Sequence, residues 1–402
     1  MASLPPLPVS PGIRQRQIDL TAEPSCGLNI FVLEAGDPSK PLILLFHGYP
    51  ELAYTWRKIL LPLASHGYHV VAPDSRGYGR TTGWDASSYA MTNLTQFTQL
   101  QLVLDNIALM RALGHESAAL VVGHDFGATA ASGCALARPD LFKAAVFVSH
   151  VPTGSSNLPE LAQSHISEAR RPPSGKSKEQ PKPVRDPDIH TSLARRKKPL
   201  KHYQWYNSTS NAAKDWLEPP QGLRAFLRGY VHLKSQVWKG NAVDMGRLTG
   251  WTADQLSRMP GYYIMPLDAT MPQVVENDMR DEDGSLTEVF VSDAELDVYV
   301  QEFSRTGFQG MLNWYRSSTD SRNVNMHMAV FAGLKFQVPV TYIGGVADWG
   351  NYQRPGALED LESGRTATDY RGTRILEGAG HWPQTEIPDL LCEEMVKFLG
   401  GG

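Results

Sequence analysis

Short apolar runs alternate with helical stretches along the first 150 or so residues of the chain. Residues 14–20 and 28–33 predict an antiparallel pair of strands, and Leu42–Phe46 is apolar throughout, which is typical of a strand buried on both faces. Further strands are predicted at residues 69–72, 118–122 and 144–149, with helices at about 52–64, 93–113 and 126–137. This alternation indicates an α/β protein with a mostly parallel central sheet and helices on both faces.

The alternation stops after about residue 151 and returns near residue 338. Residues 153–200 are rich in Ser, Pro, Lys and Arg and predict a solvated connection. Helices are then predicted at 223–239, 253–259, 270–279 and 293–306, before strands at 338–343 and 373–376 and a last helix at 387–399. We therefore expect a core formed by residues 1–151 and 321–402, and a helical cap at 152–320 above the carboxyl ends of the strands, where such sheets hold their ligands.

The composition narrows the class of protein further. Of 402 residues, 42% are hydrophobic and 20% charged, and the net charge of −4 gives no reason to expect a nucleic-acid partner. No apolar run approaches the roughly 18 residues that span a bilayer, and the N-terminal residues lack a secretory signal, so no membrane anchor is expected. Three widely spaced cysteines argue against disulfides and a zinc site and favour the cytoplasm. With no phosphate-binding glycine motif and no calcium-loop register, neither a metal nor a cofactor is expected.

The strongest chemical signal is the segment Gly123-His124-Asp125-Phe126-Gly127, which joins a predicted strand to a predicted helix. This is the pattern of a nucleophile on a sharp strand–turn–helix bend, where glycines allow the backbones to approach closely. Asp125 stands where a serine is usual. A carboxylate is ionised at neutral pH and can attack an sp³ carbon without a base, leaving an alkyl ester on the protein.

Hydrolysis of that ester requires a base, and the chain supplies a candidate near its end. His381, in Gly380-His381-Trp382-Pro383, follows the last predicted strand and is expected to activate water. Asp348 follows the preceding strand and is expected to orient His381, which gives the chain order nucleophile, acid, histidine.

A second loop near the predicted nucleophile is His47-Gly48-Tyr49-Pro50, which follows the first buried strand. We expect the backbone N–H groups of Tyr49 and Phe126 to form an oxyanion hole for ester hydrolysis. The rest of the loop, His47, Gly48 and Pro50, is expected to shape that hole, and His124 to support the site rather than act as a catalyst.

At this point the sequence resembles the soluble-type epoxide hydrolases of the α/β-hydrolase fold, over nearly the whole chain apart from the first dozen residues and the 153–200 segment. The matching segments are HGYPE (47–51), DSRGYGRT (74–81), GHDFGA (123–128), YQWY (203–206), FSRTGFQGMLNWYR (303–316) and GAGHWPQ (378–384). The resemblance implies a small-molecule epoxide as substrate, a cis peptide bond before Pro50, and two cap tyrosines, Tyr203 and Tyr315, that protonate the epoxide oxygen. Other cap tyrosines compete for that role, namely Tyr206, Tyr262 and Tyr263.

Two other functions share these features. A haloalkane or haloacid dehalogenase uses the same Asp–His–Asp machinery but holds the departing halide with indole or amide N–H groups, and the chain has nine tryptophans. A ligand-binding receptor of the same fold would bind without turnover. The two tyrosine segments favour an epoxide, whereas the natural epoxide and the oligomeric state do not follow from the sequence.

Overall fold

The computed structural model describes residues 4–153, 184–186, 188–241, 246–320 and 324–400. The strands are β1 Arg14–Asp19, β2 Asn29–Ala35, β3 Leu42–Phe46, β4 His69–Pro73, β5 Ala118–His124, β6 Ala145–Val148, β7 Val184–Arg185, β8 Leu200–His202, β9 Gly250–Trp251, β10 Ile264–Pro266, β11 Val340–Gly345 and β12 Tyr370–Leu376. The α-helices are α1 Leu60–Ser65, α2 Gln99–Ala112, α3 Phe126–Ala137, α4 Ile189–Ala194, α5 Tyr203–Asn207, α6 Ala212–Leu217, α7 Leu223–Lys234, α8 Ala253–Leu256, α9 Met271–Asp278, α10 Asp293–Thr306, α11 Gln309–Thr319, α12 Ala357–Glu362, α13 Pro383–Glu386 and α14 Pro388–Leu399. Further 3₁₀ turns lie at Ala53–Lys58, Leu94–Phe97, Gly284–Val289, Val324–Phe331 and Trp349–Asn351.

Within the described ranges, one sheet of eight strands runs in the order β1-β2-β4-β3-β5-β6-β11-β12. The strands from β4 to β12 in this order pair in parallel, whereas β1 and β2 are antiparallel to their neighbours. Every residue of β3 is buried, as its unbroken apolar run predicts. The α/β-hydrolase fold with a mostly parallel sheet is thus confirmed.

The helices between the strands cover both faces of this sheet. From β3 to β4 the chain moves one way across the sheet, and from β5 to β6 it moves the other way. Because such crossovers are right-handed, α1 and α3 lie on opposite faces. Helix α2 packs beside α3, and the C-terminal helix α14 packs beside α1. The helix predicted at 52–64 is in fact a 3₁₀ turn followed by α1.

Between β6 and β11 lies a mostly helical insert with two small sheets, β8 with β10 and β7 with β9. Helix α5 packs against α11, and α7 packs against α9 and α10. Ion pairs hold the insert to the core, among them a partly buried pair of Arg57 with Glu295 at 2.7 Å and a buried pair of Arg80 with Glu302 at 2.7 Å. None of the described helices is long and apolar enough to cross a membrane.

Two predictions for the insert need correction. The helix predicted at 223–239 ends at Lys234, because Ser235 turns to extended geometry and donates its hydroxyl to the His232 carbonyl (2.8 Å). Of the solvated connection predicted at 153–200, residues 154–183 and 187 lie outside the described residues. The rest is not a loop throughout, since Asp188 accepts a hydrogen bond from the Thr191 backbone and caps α4.

Candidate active site

A strained turn between β5 and α3 presents Asp125. Its backbone has φ 49° and ψ −118°, a conformation that L-residues rarely adopt and that costs about 1–3 kcal/mol. Glycines on both sides permit the turn, because a Cβ on Gly123 would lie 2.1 Å from the Gly127 carbonyl oxygen, and one on Gly127 would lie 2.2 Å from that of Phe46. The turn therefore requires both glycines that the sequence pattern singled out.

The two carboxylate oxygens of Asp125 have different surroundings. Oδ1 accepts a hydrogen bond from the Tyr49 backbone N–H (3.1 Å), whereas Oδ2 lies 3.3 Å from Nε2 of His381 without the alignment of a hydrogen bond. Burial alone would raise the pKa of Asp125, but His381, Lys234 and His124 outweigh burial and hold it well below its usual range. The side chain is therefore a carboxylate at neutral pH.

His381 is fully buried and is held by Asp348. Nδ1 lies 3.1 Å from both oxygens of Asp348, and Oδ1 of Asp348 also accepts from the Gly350 N–H (2.6 Å). Nδ1 therefore carries a proton that it donates to Asp348, and the other ring nitrogen, Nε2, is directed toward Asp125. Burial and Lys234 lower the pKa of His381, but the carboxylates of Asp348 and Asp125 outweigh them and raise it above its ordinary value.

Glu386, which the sequence reasoning missed, fixes the loop that carries His381. Its partly buried carboxylate accepts hydrogen bonds from the backbone N–H groups of Gly380, Trp382 and Gln236 at 2.8–3.1 Å. Burial raises the pKa of Glu386 to about 7, although these hydrogen bonds act to lower it. The backbone N–H of His381 donates to the backbone carbonyl of Lys234 (2.7 Å), so the loop is held by both the core and the insert.

Lys234 places a buried positive charge near Asp125 and Asp348. Its ammonium lies 5.1–5.9 Å from the ring centres of Tyr230, Tyr262, Tyr263 and Trp382. The faces of such rings attract a cation and partly replace its hydration. Within the described ranges no carboxylate lies within 4.0 Å of Nζ, so the ammonium acts on the pKa values of Asp125 and His381 through space.

His124 and Glu51 form a buried hydrogen-bonded pair beside His381. Nδ1 of His124 lies 2.6 Å from the Glu51 carboxylate, and Nε2 lies 2.6 Å from the His381 carbonyl oxygen. Glu51 also accepts from the Gly48 N–H (2.7 Å), the Thr55 hydroxyl and the amide of Gln384. This buried carboxylate therefore joins three segments of the site, and its place in the HGYPE segment was the available sequence signal.

The HGYP loop lies against the turn that carries Asp125. Nδ1 of His47 is 2.9 Å from the Gly48 carbonyl, its Nε2 accepts from the Ser75 N–H (3.0 Å), and burial lowers the pKa of His47 to about 4. The Tyr49–Pro50 peptide bond is cis. Two backbone N–H groups were predicted to form an oxyanion hole. The N–H of Tyr49 donates to Asp125. The N–H of Phe126 belongs to the first residue of α3, where backbone N–H groups have no partner within the helix.

The two predicted cap tyrosines lie together above Asp125. The rings of Tyr203 and Tyr315 have centres 5.7 Å apart, and Tyr315 also packs edge-on against Phe126 and Tyr49 at 5.1 Å. Burial raises the pKa of both phenols, so both keep their protons at neutral pH. Of the competing tyrosines, Tyr206 donates its hydroxyl to Asp215 (2.9 Å), and Tyr262 and Tyr263 pack around Lys234.

Gln353 and His150 form a further polar link that the sequence reasoning missed. The Tyr203 hydroxyl donates to Oε1 of Gln353 (3.4 Å), and Nε2 of Gln353 donates to Nδ1 of His150 (3.0 Å). Burial lowers the pKa of His150 to about 4, so its ring is neutral at pH 7. A neutral ring that accepts at Nδ1 carries its proton on Nε2.

Two cavities adjoin the site and differ in polarity. One, of about 130 Å³, is mostly polar and is lined by Asp125, Tyr203, Gln204, Gln99, His150 and Arg354. The other is apolar and lies between core and insert, lined by residues that include Pro50, Leu227, Tyr230, Val291, Phe303 and Trp382. Only the first of these two is lined by Asp125. Among the described residues, no group of three or more His, Cys, Asp or Glu is arranged to hold a metal ion.

Comparison with known proteins gives consistent results. Residues 41–226 match the family model of the alpha/beta hydrolase fold. The chain is 30% identical to "Epoxide hydrolase A" of Mycobacterium tuberculosis, covering 93% of this chain and 95% of that protein, and 30% identical to an epoxide hydrolase of Caballeronia sordidicola, covering 93% and 91%. Among solved structures, an epoxide hydrolase from an endophytic Streptomyces superimposes with a TM-score of 0.72 at 27% identity, over 98% of this chain and 96% of that one. Potato epoxide hydrolase I gives a TM-score of 0.64 at 26% identity, over 97% of this chain and all of that one.

Proposed function

The chain belongs to the epoxide hydrolases of the α/β-hydrolase fold, and from this premise we propose that it converts small-molecule epoxides to vicinal diols through an ester on Asp125. The observation that carries the proposal is the arrangement around one polar cavity. Asp125 and Tyr203 both line it, and His381 lies 3.3 Å from the carboxylate of Asp125.

In the first step, Oδ2 of Asp125 attacks a carbon of the epoxide. Oδ1 stays with the Tyr49 amide, so Oδ2 is the oxygen available for a new bond. As that carbon–oxygen bond forms, the ring carbon–oxygen bond breaks, and the ring oxygen takes a proton from Tyr203 or Tyr315. An alkoxide is a poor leaving group, and two protonated phenols above the carboxylate supply the acid that it requires.

In the second step, His381 removes a proton from water, which attacks the carbonyl carbon of the ester. The negative charge that develops on Oδ1 falls beside the Tyr49 and Phe126 amides, which act as the oxyanion hole. Asp348 stabilises the imidazolium that forms. The tetrahedral intermediate collapses, and the diol oxygen leaves with the proton from His381. Asp125 is then a carboxylic acid, and its proton returns to the tyrosine that was deprotonated in the first step, which restores both the carboxylate and the phenol.

The three tryptophans whose rings contact residues of the site favour an epoxide over a haloalkane. The rings of Trp216, Trp314 and Trp382 contact Tyr49, Phe126 and His381, respectively. Each of these indoles already donates its N–H to a protein oxygen, namely of Asn207, Arg76 and Val231. An indole N–H that is engaged in this way is not available to hold a halide.

Incubation with an aryl epoxide and, separately, with a haloalkane tests the proposal. We expect diol from the epoxide and no halide ion from the haloalkane. Halide release without diol would instead assign the chain to the dehalogenases, and tight binding without any product would indicate a receptor.

Two further features belong to this proposal. We propose that residues 1–151 and 321–402 form the catalytic core and residues 152–320 the cap, which supplies both tyrosines. We also propose the cytoplasm as the location, which is supported by the three buried cysteines, Cys26, Cys134 and Cys392, all of them free thiols. Measuring the free thiols of the protein purified from a cell lysate, without reductant, checks the second point.

A further inference from the structure

Arg354 has no role in the reaction described above, yet it lines the same cavity as Asp125. It lies six residues after Asp348, between the 3₁₀ turn Trp349–Asn351 and helix α12. Its side chain is only partly exposed and faces Tyr203, Gln204 and His150 across the cavity. A positive charge therefore lies in the space where the substrate has to bind.

Among the described residues, this charge has no anionic partner. Over the residues that the structure describes, no carboxylate oxygen lies within 4.0 Å of the Arg354 guanidinium. The groups that affect it electrostatically are Tyr203, His150, His202 and Arg185, and none of them is negative at neutral pH. Burial lowers the pKa of His150 to about 4 and that of His202 to about 3, so both rings are neutral.

An unpaired guanidinium in a partly desolvated site is unfavourable. Burial lowers the pKa of Arg354 from its ordinary value, which is the direction expected of a cation removed from water without a counter-ion. A carboxylate would relieve this cost, because its two oxygens match the planar N–H fork of arginine and form two charge-assisted hydrogen bonds. The neighbouring His150, with its proton on Nε2, offers one more donor beside this fork.

The geometry points to a substrate class: we propose that Arg354 binds a carboxylate on the epoxide, and that preferred substrates are compact epoxy-carboxylates. One guanidinium balances one carboxylate, and the polar walls at Gln99 and Gln204 suit a polar substrate. The cavity of about 130 Å³ is close to the roughly 150 Å³ that accommodates benzene, which favours a molecule of a few carbons. This inference rests on the proposed function and specifies its substrate.

A matched pair of substrates tests the inference. The probes are epoxides that carry a carboxylate one to three carbons from the ring, and the corresponding primary amides, which have nearly the same shape but no charge. In the unmodified enzyme we expect kcat/KM for the carboxylate to exceed that for the amide by about 10- to 100-fold, the range of a hydrogen bond to a charged group. Equal values for the two would overturn the inference.

Variants then assign the preference to Arg354. Arg354→Met is expected to lower kcat/KM for the carboxylate by about 10- to 100-fold and that for the amide by a smaller factor, so the ratio of the two kcat/KM values falls toward one. Circular dichroism and thermal unfolding check that the variant folds. Arg354→Lys keeps the charge but loses the planar N–H fork. Its kcat/KM for the carboxylate is expected to lie between those of the unmodified enzyme and of Arg354→Met. Arg138→Met is the control, because Arg138 is partly exposed and follows the end of α3 that lies away from Asp125. It should leave kcat/KM unchanged for both substrates.

The outcomes separate this inference from the proposed function. If Arg354→Met slows both substrates equally, the arginine acts on Tyr203 rather than on the substrate, and the inference is wrong although the enzyme is an epoxide hydrolase. If the unmodified enzyme forms no diol from the carboxylates, from the amides or from an aryl epoxide, the proposed function itself is wrong.

Discussion

Substitution of Gly127 by alanine tests whether the close approach of backbones at the nucleophile turn determines activity. The new Cβ would lie 2.2 Å from the Phe46 carbonyl oxygen and 2.7 Å from that of His47, both of them backbone atoms. Real Cβ contacts stay beyond about 3.0 Å, so the two backbones have to separate by roughly 0.8 Å or more. That movement would displace Asp125 on one side and the Tyr49 amide on the other.

The expected result is a loss of activity larger than the loss of stability. A misplacement of about 1 Å costs on the order of 100-fold in rate, so kcat/KM for diol formation should fall by about that factor. The free energy of unfolding, measured with urea, should fall by about 1–3 kcal/mol, the usual cost of overpacking.

Gly400, which follows the C-terminal helix α14, provides the control. A Cβ there would lie 3.5 Å or more from the nearest backbone oxygens, which is an ordinary contact, and its φ of −72° suits alanine. Gly400→Ala should therefore keep kcat/KM within about threefold and change the free energy of unfolding by less than about 0.5 kcal/mol. A folded Gly127→Ala variant with unmodified kcat/KM would refute the reasoning.

Three further predictions follow from the contacts at the site. Decay of the ester, followed by stopped-flow fluorescence, should slow as the pH falls, because His381 must be neutral to accept a proton from water. The midpoint of this pH dependence should lie below the His381 pKa measured by NMR in the free enzyme, because esterification removes the negative charge of Asp125, which raises this pKa. A midpoint at or above the NMR value would contradict this reasoning. The double variant Tyr203→Phe with Tyr315→Phe should slow formation of the ester at least 100-fold in single-turnover experiments, and unchanged ester formation would exclude both phenols as acids. Glu302→Ala should lower the free energy of unfolding in urea by about 3–5 kcal/mol, because Arg80 is left buried without its partner, whereas a change below 1 kcal/mol would mean that the pair is solvated.

Much of the core could be predicted because local pattern and tertiary environment agree there. The buried strand Leu42–Phe46 and the helices Phe126–Ala137 and Asp293–Thr306 begin and end where the sequence indicates. A continuous apolar run such as Leu42–Phe46 is typical of a strand buried on both faces. Ser292 and Glu295 form the capping box at the start of the helix Asp293–Thr306. The Asp125 turn could be predicted for the same reason, since glycines at both ends are required by close contacts.

The supporting residues of the site could not be predicted, because their roles arise from long-range contacts. Glu386 and Lys234 meet the loop of His381 from different elements, and no local pattern distinguishes them from other charged residues. Arg354 follows Asp348 in an irregular segment, so its direction into the cavity depends on the turn at 349–351. The helix predicted at 223–239 was too long for the same reason, since contacts with Glu386 take over after Lys234.

The covalent ester on Asp125 can be tested directly by mass spectrometry of the His381→Gln variant. Without the base the ester should persist, so intact protein mixed with an epoxide should gain the mass of one substrate molecule, and peptide mapping should assign that mass to Asp125. His381→Gln in combination with Asp125→Asn should gain no mass. If the single variant also shows no adduct at any time after mixing while diol still forms, water attacks the epoxide directly and the proposed mechanism is wrong.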